Sequence, residues 1–305
     1  MHLLVTGASG LLGLNLSLLA VREGNTVTGL VHSHGLSGVP FQQMQVDLLQ
    51  EQEALCAIQT ANPDAIIHCA AQANLNLAER DPQLTQRLNA QVPGFLARVT
   101  RQDQIPFIHI STDAVFDGER GGYVEDDPVR PISVYAKTKL AGEQAVLENN
   151  PDAIIARVVF YGWSLSGKRS LGEFFFNNLK EKHPINGFTD TFFSPLYVED
   201  LSKVLLAMLT AGLKGVYHVV SPQSVSKYEF GVRIAARFGL DPGLISPIQS
   251  REINRGASRS LNLSLKPDKI QKALGVTLPS IDAGLEQFYR RWQQGYPQKL
   301  QSYAN

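Results

Sequence analysis

The 305-residue chain predicts an α/β protein, a doubly wound parallel sheet carrying a smaller, mostly helical C-terminal lobe. Three observations lead there. Short apolar runs alternate with helical patterns through the N-terminal half, which implies parallel strands with crossover helices on both faces. Glycines at 7, 10 and 13 follow the first apolar run, where a strand would turn into a helix. Beyond Phe160 the rhythm changes to longer helices.

Compact, β-branched-rich runs place strands at His2–Thr6, Thr26–Val31, 65–70 and 107–111. Leu11, Leu12, Asn15, Leu16, Leu19 and Ala20 have the spacing of the first helix. Residues 152–160 and 215–221 read as further buried strands. An aromatic-rich helix is expected over 171–183. A longer one over 197–213 carries an apolar stripe of Leu201, Val204, Leu205, Met208 and Leu209. Ser226-Lys227-Tyr228-Glu229 has the capping-box pattern and opens a helix reaching about Phe238. Segments 267–274, with Gly275 behind it, and 280–292 complete the helical part. The division expected is a nucleotide-binding domain over 1–160, with return crossings around 190–221, and a mainly substrate-binding lobe over 161–305.

Composition narrows the function. The 28 basic and 28 acidic residues cancel, so no basic excess points to nucleic acid or an anionic membrane as partner. Cys56 and Cys69 lack metal-ligand spacing, and the expectation is a reduced chain with no metal site. His68 and His109 sit inside apolar runs and read as neighbours of strands rather than ligands. The apolar first twenty residues lack a basic leader region and are broken by glycines. No apolar stretch is long enough to span a bilayer, and the expected location is the cytoplasm.

Glycine allows a sharp turn, a close approach of backbone to pyrophosphate, and tight packing of helix on strand. The helix that follows offers free N–H groups and the positive end of its dipole. Gly7, Ser9, Gly10, Leu11 and Leu12 are therefore the expected phosphate cradle, with Gly13 behind them. The second strand ends Val31-His32-Ser33-His34, without the carboxylate that would accept ribose hydroxyls and repel a 2′-phosphate. NADP(H) is favoured, with His32 and Ser33 as donors, and NAD(H) is admissible. Asp47, followed by Leu48, is placed either to meet the adenine amino group or to cap a helix over 48–58.

Tyr135 and Lys139 are four apart, so on a helix they project from one face. A neighbouring ammonium favours the phenolate, which would lower the phenol's pKa and make Tyr135 a general acid near neutrality. Lys139 is also placed to hold the nicotinamide ribose. Thr112 ends the strand predicted at 107–111, at the sheet edge where such folds bind ligands. Ser111 has the same hydroxyl, but strand alternation points it the other way.

At these residues the sequence resembles the extended short-chain dehydrogenases/reductases of Rossmann type, and within them the dTDP-4-dehydrorhamnose reductase family. The resemblance rests on TGASGLLG at 6–13, HCAA at 68–71, STDAVFDG at 111–118, YAKTKLAGE at 135–143 and, more loosely, 255–269. It implies NADPH-dependent reduction of a 4-keto-6-deoxy sugar nucleotide, as in dTDP-rhamnose biosynthesis, with Thr112, Tyr135 and Lys139 in the catalytic places. It adds Cys69, Ala70 and Ala71 to the cofactor set. To the substrate it assigns Thr112, Asp113, Val115, Phe160, Arg255 and Arg259, the arginines as bidentate partners of the diphosphate. It also implies a lobe closing over the sugar nucleotide and a homodimer built on the helix following Tyr135; separately, the prolines and glycines of 118–131 suggest a mobile loop over the site. Residues 157–163 match the family only partly, and the magnesium-binding carboxylates of some members have no counterpart here.

Two other readings compete. The regulatory β-subunit of methionine adenosyltransferase shares the VFDG and Y-x-KTKL features, which would make the chain an NADP-binding regulatory protein. A sugar-nucleotide epimerase or dehydratase would recycle bound NAD; the missing carboxylate after Val31 and the absence of Glu after Asp113 argue against it.

Overall fold

The computed structural model describes residues 1–33, 35–252 and 260–304. Seven strands form one parallel sheet. From edge to edge they are Gly215–Val219, Ile154–Val158, Phe107–Thr112, Ala65–His68, His2–Thr6, Thr26–Val31 and Gln42–Gln45. The order steps outward from His2–Thr6 in both directions. The crevice beyond its carboxyl end is therefore the topological switch point where doubly wound sheets bind ligands.

Strand alternation divides the core. Leu3, Val5, Ile67, Ile108 and Ala156 face one side and join a cluster that continues through Trp163, Phe175, Phe230 and Phe288. Leu4, Ile66, Phe107 and Ile155 face the other side, beneath Ala57, Ile58, Phe95 and Leu96 of the helices Glu51–Ala61 and Val92–Gln102. The expected return crossings are present: helix Val198–Thr210 lies against helix Leu11–Arg22, and Gly215–Val219 pairs with Ile154–Val158. Sheet and C-terminal part thus share one apolar core.

In that part Trp163 stacks on Phe288 with centroids 4.0 Å apart, and Phe176 meets the same indole edge-on at 5.1 Å. Ser226 accepts the N–H of Glu229 at 3.0 Å, so the predicted cap forms at helix Lys227–Phe238. Helix Leu171–Lys180 has a full capping box from Ser170 and Glu173. Among the described residues no helix is long and apolar enough to cross a membrane.

Two elements differ from the sequence reading. Gln42–Gln45 was not anticipated as a strand, because an edge strand hydrogen-bonds one neighbour and needs no apolar pattern. The strand expected over 152–160 stops at Val158, and Phe160 belongs to a two-residue strand paired with Leu196–Tyr197. The segment 118–131 is tied by backbone hydrogen bonds to 262–264: Gly118 O accepts from Asn262 N at 2.9 Å, and Tyr123 N donates to Ser264 O at 3.0 Å. The Tyr123 ring also stacks on Phe116 at 4.3 Å.

Candidate active site

The glycine turn is built by close approach. Gly7 has φ +64°, and a Cβ there would lie 2.9 Å from Ala70 N. A Cβ at Gly13 would lie 2.2 Å from Gly7 O. Thr6 completes the junction, its Oγ1 accepting from Cys69 N and Ala70 N, both at 3.1 Å. These contacts bring Cys69 and Ala70 against the turn, with Ala71 exposed just beyond. Gly10 caps helix Leu11–Arg22 in an extended conformation with no side-chain cap. The first N–H groups of that helix, beginning with Leu11 and Leu12 next to Ser9, are therefore left for an anion.

His32 and Ser33 are exposed at the end of Thr26–Val31. His32 Nε2 lies 4.0 Å from Asp47 Oδ1. Asp47 accepts Leu49 N at 3.0 Å, closing a local turn, whereas the next helix begins at Glu51 behind Gln50. Asp47 is thus not the helix cap, and the buried Leu48 belongs to the apolar layer beneath.

The hydroxyl, phenol and ammonium come from two elements. Thr112 is the last residue of its strand; its Oγ1 donates to Asp113 Oδ1 at 3.0 Å and accepts Ala114 N at 3.2 Å. Tyr135 and Lys139 stand on helix Val134–Asn149, started by Ser133, whose Oγ accepts Ala136 N. Thr112, Asp113 and Tyr135 line one cavity of ≈ 300 Å³, with Lys227 and Phe193 on its far wall. Burial pushes the Tyr135 phenol up to about 12, although its hydrogen bond with Thr112 works against that. Burial likewise pushes Asp113 up to about 7, against the pull of Thr112 and of the Lys227 charge.

The expected lowering of the phenol by Lys139 is not found. The Lys139 ammonium, 2% exposed, instead donates to Ile110 O at 2.7 Å and meets His109 Nε2 at 3.2 Å. Desolvation lowers this ammonium to about 8, while the charge of Glu143 holds it up. Burial pushes the Cys69 thiol up to about 12.

Sequence reasoning missed Lys227 and Phe193. Lys227 sat in the capping-box motif, but nothing local showed that its helix begins at the cavity. Val115 lies elsewhere: the turn Asp113–Val115 rotates it inward, and it is fully buried with Phe116, Tyr123 and Leu265. Phe160 packs on the main core rather than the cavity. Arg255 and Arg259 lie outside the described residues. Another cavity, of ≈ 270 Å³, opens at the opposite end of the sheet beside Phe107 and Ile154. Its charged groups Arg101 and Lys214 are both taken by Asp152, so it offers no comparable chemistry.

The profile of the RmlD substrate binding domain matches residues 1–294. The chain belongs to that family. This RmlD-family chain is 33% identical over 290 residues to a probable low-salt glycan biosynthesis reductase of Haloferax volcanii, covering 93% of this chain and 96% of that protein. It is 34% identical over 266 residues to a dTDP-4-dehydrorhamnose reductase of Mycobacterium tuberculosis, covering 85% and 83%. To methionine adenosyltransferase 2 subunit beta of Rattus norvegicus it is 31% identical over 284 residues, covering 90% and 83%. Among solved structures, dTDP-4-dehydrorhamnose reductase from Bacillus anthracis in complex with NADP matches with a TM-score of 0.85 and 27% identity, covering 95% and 99%.

Proposed function

We propose that this chain reduces the ketone of a 4-keto-6-deoxy sugar nucleotide, with NADP(H) as cofactor and Tyr135 as the proton donor. The observation that carries this is the meeting of Thr112 and Tyr135 in one cavity at the carboxyl edge of the sheet, with Lys139 one turn along the same helix.

The residues present fit the cofactor. The close packing at Gly7 and Gly13 and the uncapped start of helix Leu11–Arg22 suit a pyrophosphate. His32 and Ser33, with no carboxylate at the strand end, suit a 2′-phosphate. The bound nicotinamide would supply hydride to the carbonyl carbon.

The chain's own groups handle the oxygen and its proton. A phenol held up near 12 keeps its proton at neutral pH and gives it to the far more basic alkoxide as that charge develops. The Thr112 hydroxyl orients that oxygen and the phenol together. Lys139, one turn from Tyr135 on the same helix, adds a positive charge. Asp113 and Lys227, across the cavity, are placed to take hydroxyls of the sugar.

The test is loss of nicotinamide absorbance when the protein and NADPH meet freshly prepared dTDP-4-keto-6-deoxyhexose. Tyr135→Phe should abolish reduction while sparing NADPH binding, and turnover retained in that variant would remove Tyr135 from the proton-donor role. The similarity to methionine adenosyltransferase 2 subunit beta supports a second, regulatory reading. NADPH binding with no turnover of dTDP-, GDP- or UDP-linked keto sugars, together with co-purification of a synthetase, would favour it.

A further inference from the structure

Lys139 has three N–H donors, and two of them have acceptors in Ile110 O and His109 Nε2. The second acceptor sits in an unusual setting. His109 is fully buried and stacks on His68 of the neighbouring strand, with ring centroids 5.4 Å apart and planes 20° apart. His68 Nδ1 meets Thr6 Oγ1 at 2.8 Å. Because that hydroxyl already accepts two backbone N–H groups, its own proton points to His68 Nδ1. His109 Nε2 faces an ammonium and must present its lone pair, which puts the ring proton on Nδ1.

Burial drives His68 down to about 3 and His109 well below the usual imidazole range, the Lys139 charge adding to both shifts. Both rings are therefore neutral. His68 Nε2 and His109 Nδ1 have no partner among the described residues. Buried polar nitrogens without partners destabilise a fold, and an apolar side chain at 109 would avoid that penalty. What an apolar side chain lacks is the lone pair facing Lys139.

We propose that His109 is a positioning residue for Lys139, its Nε2 fixing the ammonium against the sheet so that the third N–H is left for the cofactor and Tyr135. This rests on the oxidoreductase reading above. The other groups facing Lys139 are Glu143 on its own helix and His68 and Cys69 at the end of the adjacent strand. Arg157 acts on it only through Glu143, which it holds. Glu143 favours the charged amine, whereas the Cys69 thiol, held up to about 12, is neutral there. A hydrogen bond accepted by His109 also favours the charged form, so its removal lets Lys139 lose its proton at lower pH.

The experiment is a fluorescence titration of NADPH binding across pH for the wild type, His109→Met and His109→Gln. Methionine fills similar space without a strong acceptor, whereas glutamine keeps a carbonyl acceptor. Wild-type binding should weaken as pH rises through about 8. In His109→Met that limb should move down by about one unit, the size expected for one hydrogen bond to a charged group, and His109→Gln should restore it. An unmoved limb in His109→Met, or equal shifts in both variants, overturns the proposal. If His109→Met does not fold, a displaced limb in His109→Gln does so alone, and a wild-type limb there supports it. Binding is the readout, so the two ideas fail separately: NADPH bound without oxidation of any keto sugar rejects the reaction, and turnover with an unmoved limb rejects His109.

Discussion

Ser111 donates its hydroxyl to Glu143 Oε1 at 2.5 Å, and that contact decides which of two adjacent hydroxyls serves the cavity. Glu143 is held from its other side by Arg157, through Nε at 3.0 Å and a terminal guanidinium nitrogen at 2.8 Å. Strand alternation then leaves Thr112 on the opposite face, toward Tyr135. Thr112→Val should lower kcat by about 10²-fold, the usual loss for one oxyanion donor. Ser111→Ala should leave kcat close to wild type but destabilise the fold by about 1–3 kcal/mol, because a buried acceptor loses its partner. Steady-state kinetics and urea unfolding of the pair check this; a reversed ranking in kcat would mean that the wrong hydroxyl has been chosen.

Glu143→Gln should cost about 3–5 kcal/mol, because it leaves the Arg157 guanidinium buried without its counter-ion. The same change removes a charge that holds the Lys139 ammonium up. Lys139 is charged below its pKa, so the high-pH fall in NADPH binding should move to lower pH. Urea denaturation gives the first quantity and a pH series of binding titrations the second. A destabilised variant with an unshifted limb would separate Glu143 from Lys139.

Gly13→Ala places a methyl 2.2 Å from Gly7 O, and that obstacle is backbone, which cannot rotate aside. The expected effect is a loss of about 1–3 kcal/mol from overpacking, with NADPH affinity reduced because the turn must shift. Unfolding curves and equilibrium binding measure the two losses. Wild-type affinity in a folded variant would show that the turn does not need its tight geometry to hold the cofactor.

Asp113 gives a pH-dependent stability. Its ordinary value is 3.8, and burial raises it to about 7 in the fold. The folded state therefore keeps a proton that the unfolded chain releases. The resulting stabilisation is full below about 4 and is lost as pH rises through about 7. Asp113→Asn should consequently raise Tm, relative to wild type, more near pH 8 than near pH 4. Calorimetry at the two pH values tests this, and an equal difference at both would show that Asp113 titrates normally.

Much of the site is legible in one dimension. Gly7 and Gly13 report a turn because a Cβ would press on backbone at either position, and Gly7 also has a positive φ. Tyr135 and Lys139 report a shared face because four residues make about one helical turn. Thr112 and Ser111 are told apart by the two-residue period of a strand. Each of these depends on neighbours in sequence, and the strands His2–Thr6 and Thr26–Val31 were bounded from the same local patterns.

What the tertiary structure alone decided depends on partners distant in sequence. Gln42–Gln45 becomes a strand because Thr26–Val31 presents a free edge to it. Lys227 reaches the cavity because its helix opens across it from a strand end that lies more than a hundred residues earlier in the chain. Val115 leaves the cavity because a short turn rotates it into a pocket closed by Leu265. The direction of the Tyr135 shift followed the same rule: spacing put an ammonium nearby, but burial and the acceptors Ile110 O and His109 Nε2 settled where its protons go. Periodicity is a property of the backbone and can be read from residue order, whereas desolvation and hydrogen-bond partnership are set by the packing of the whole chain.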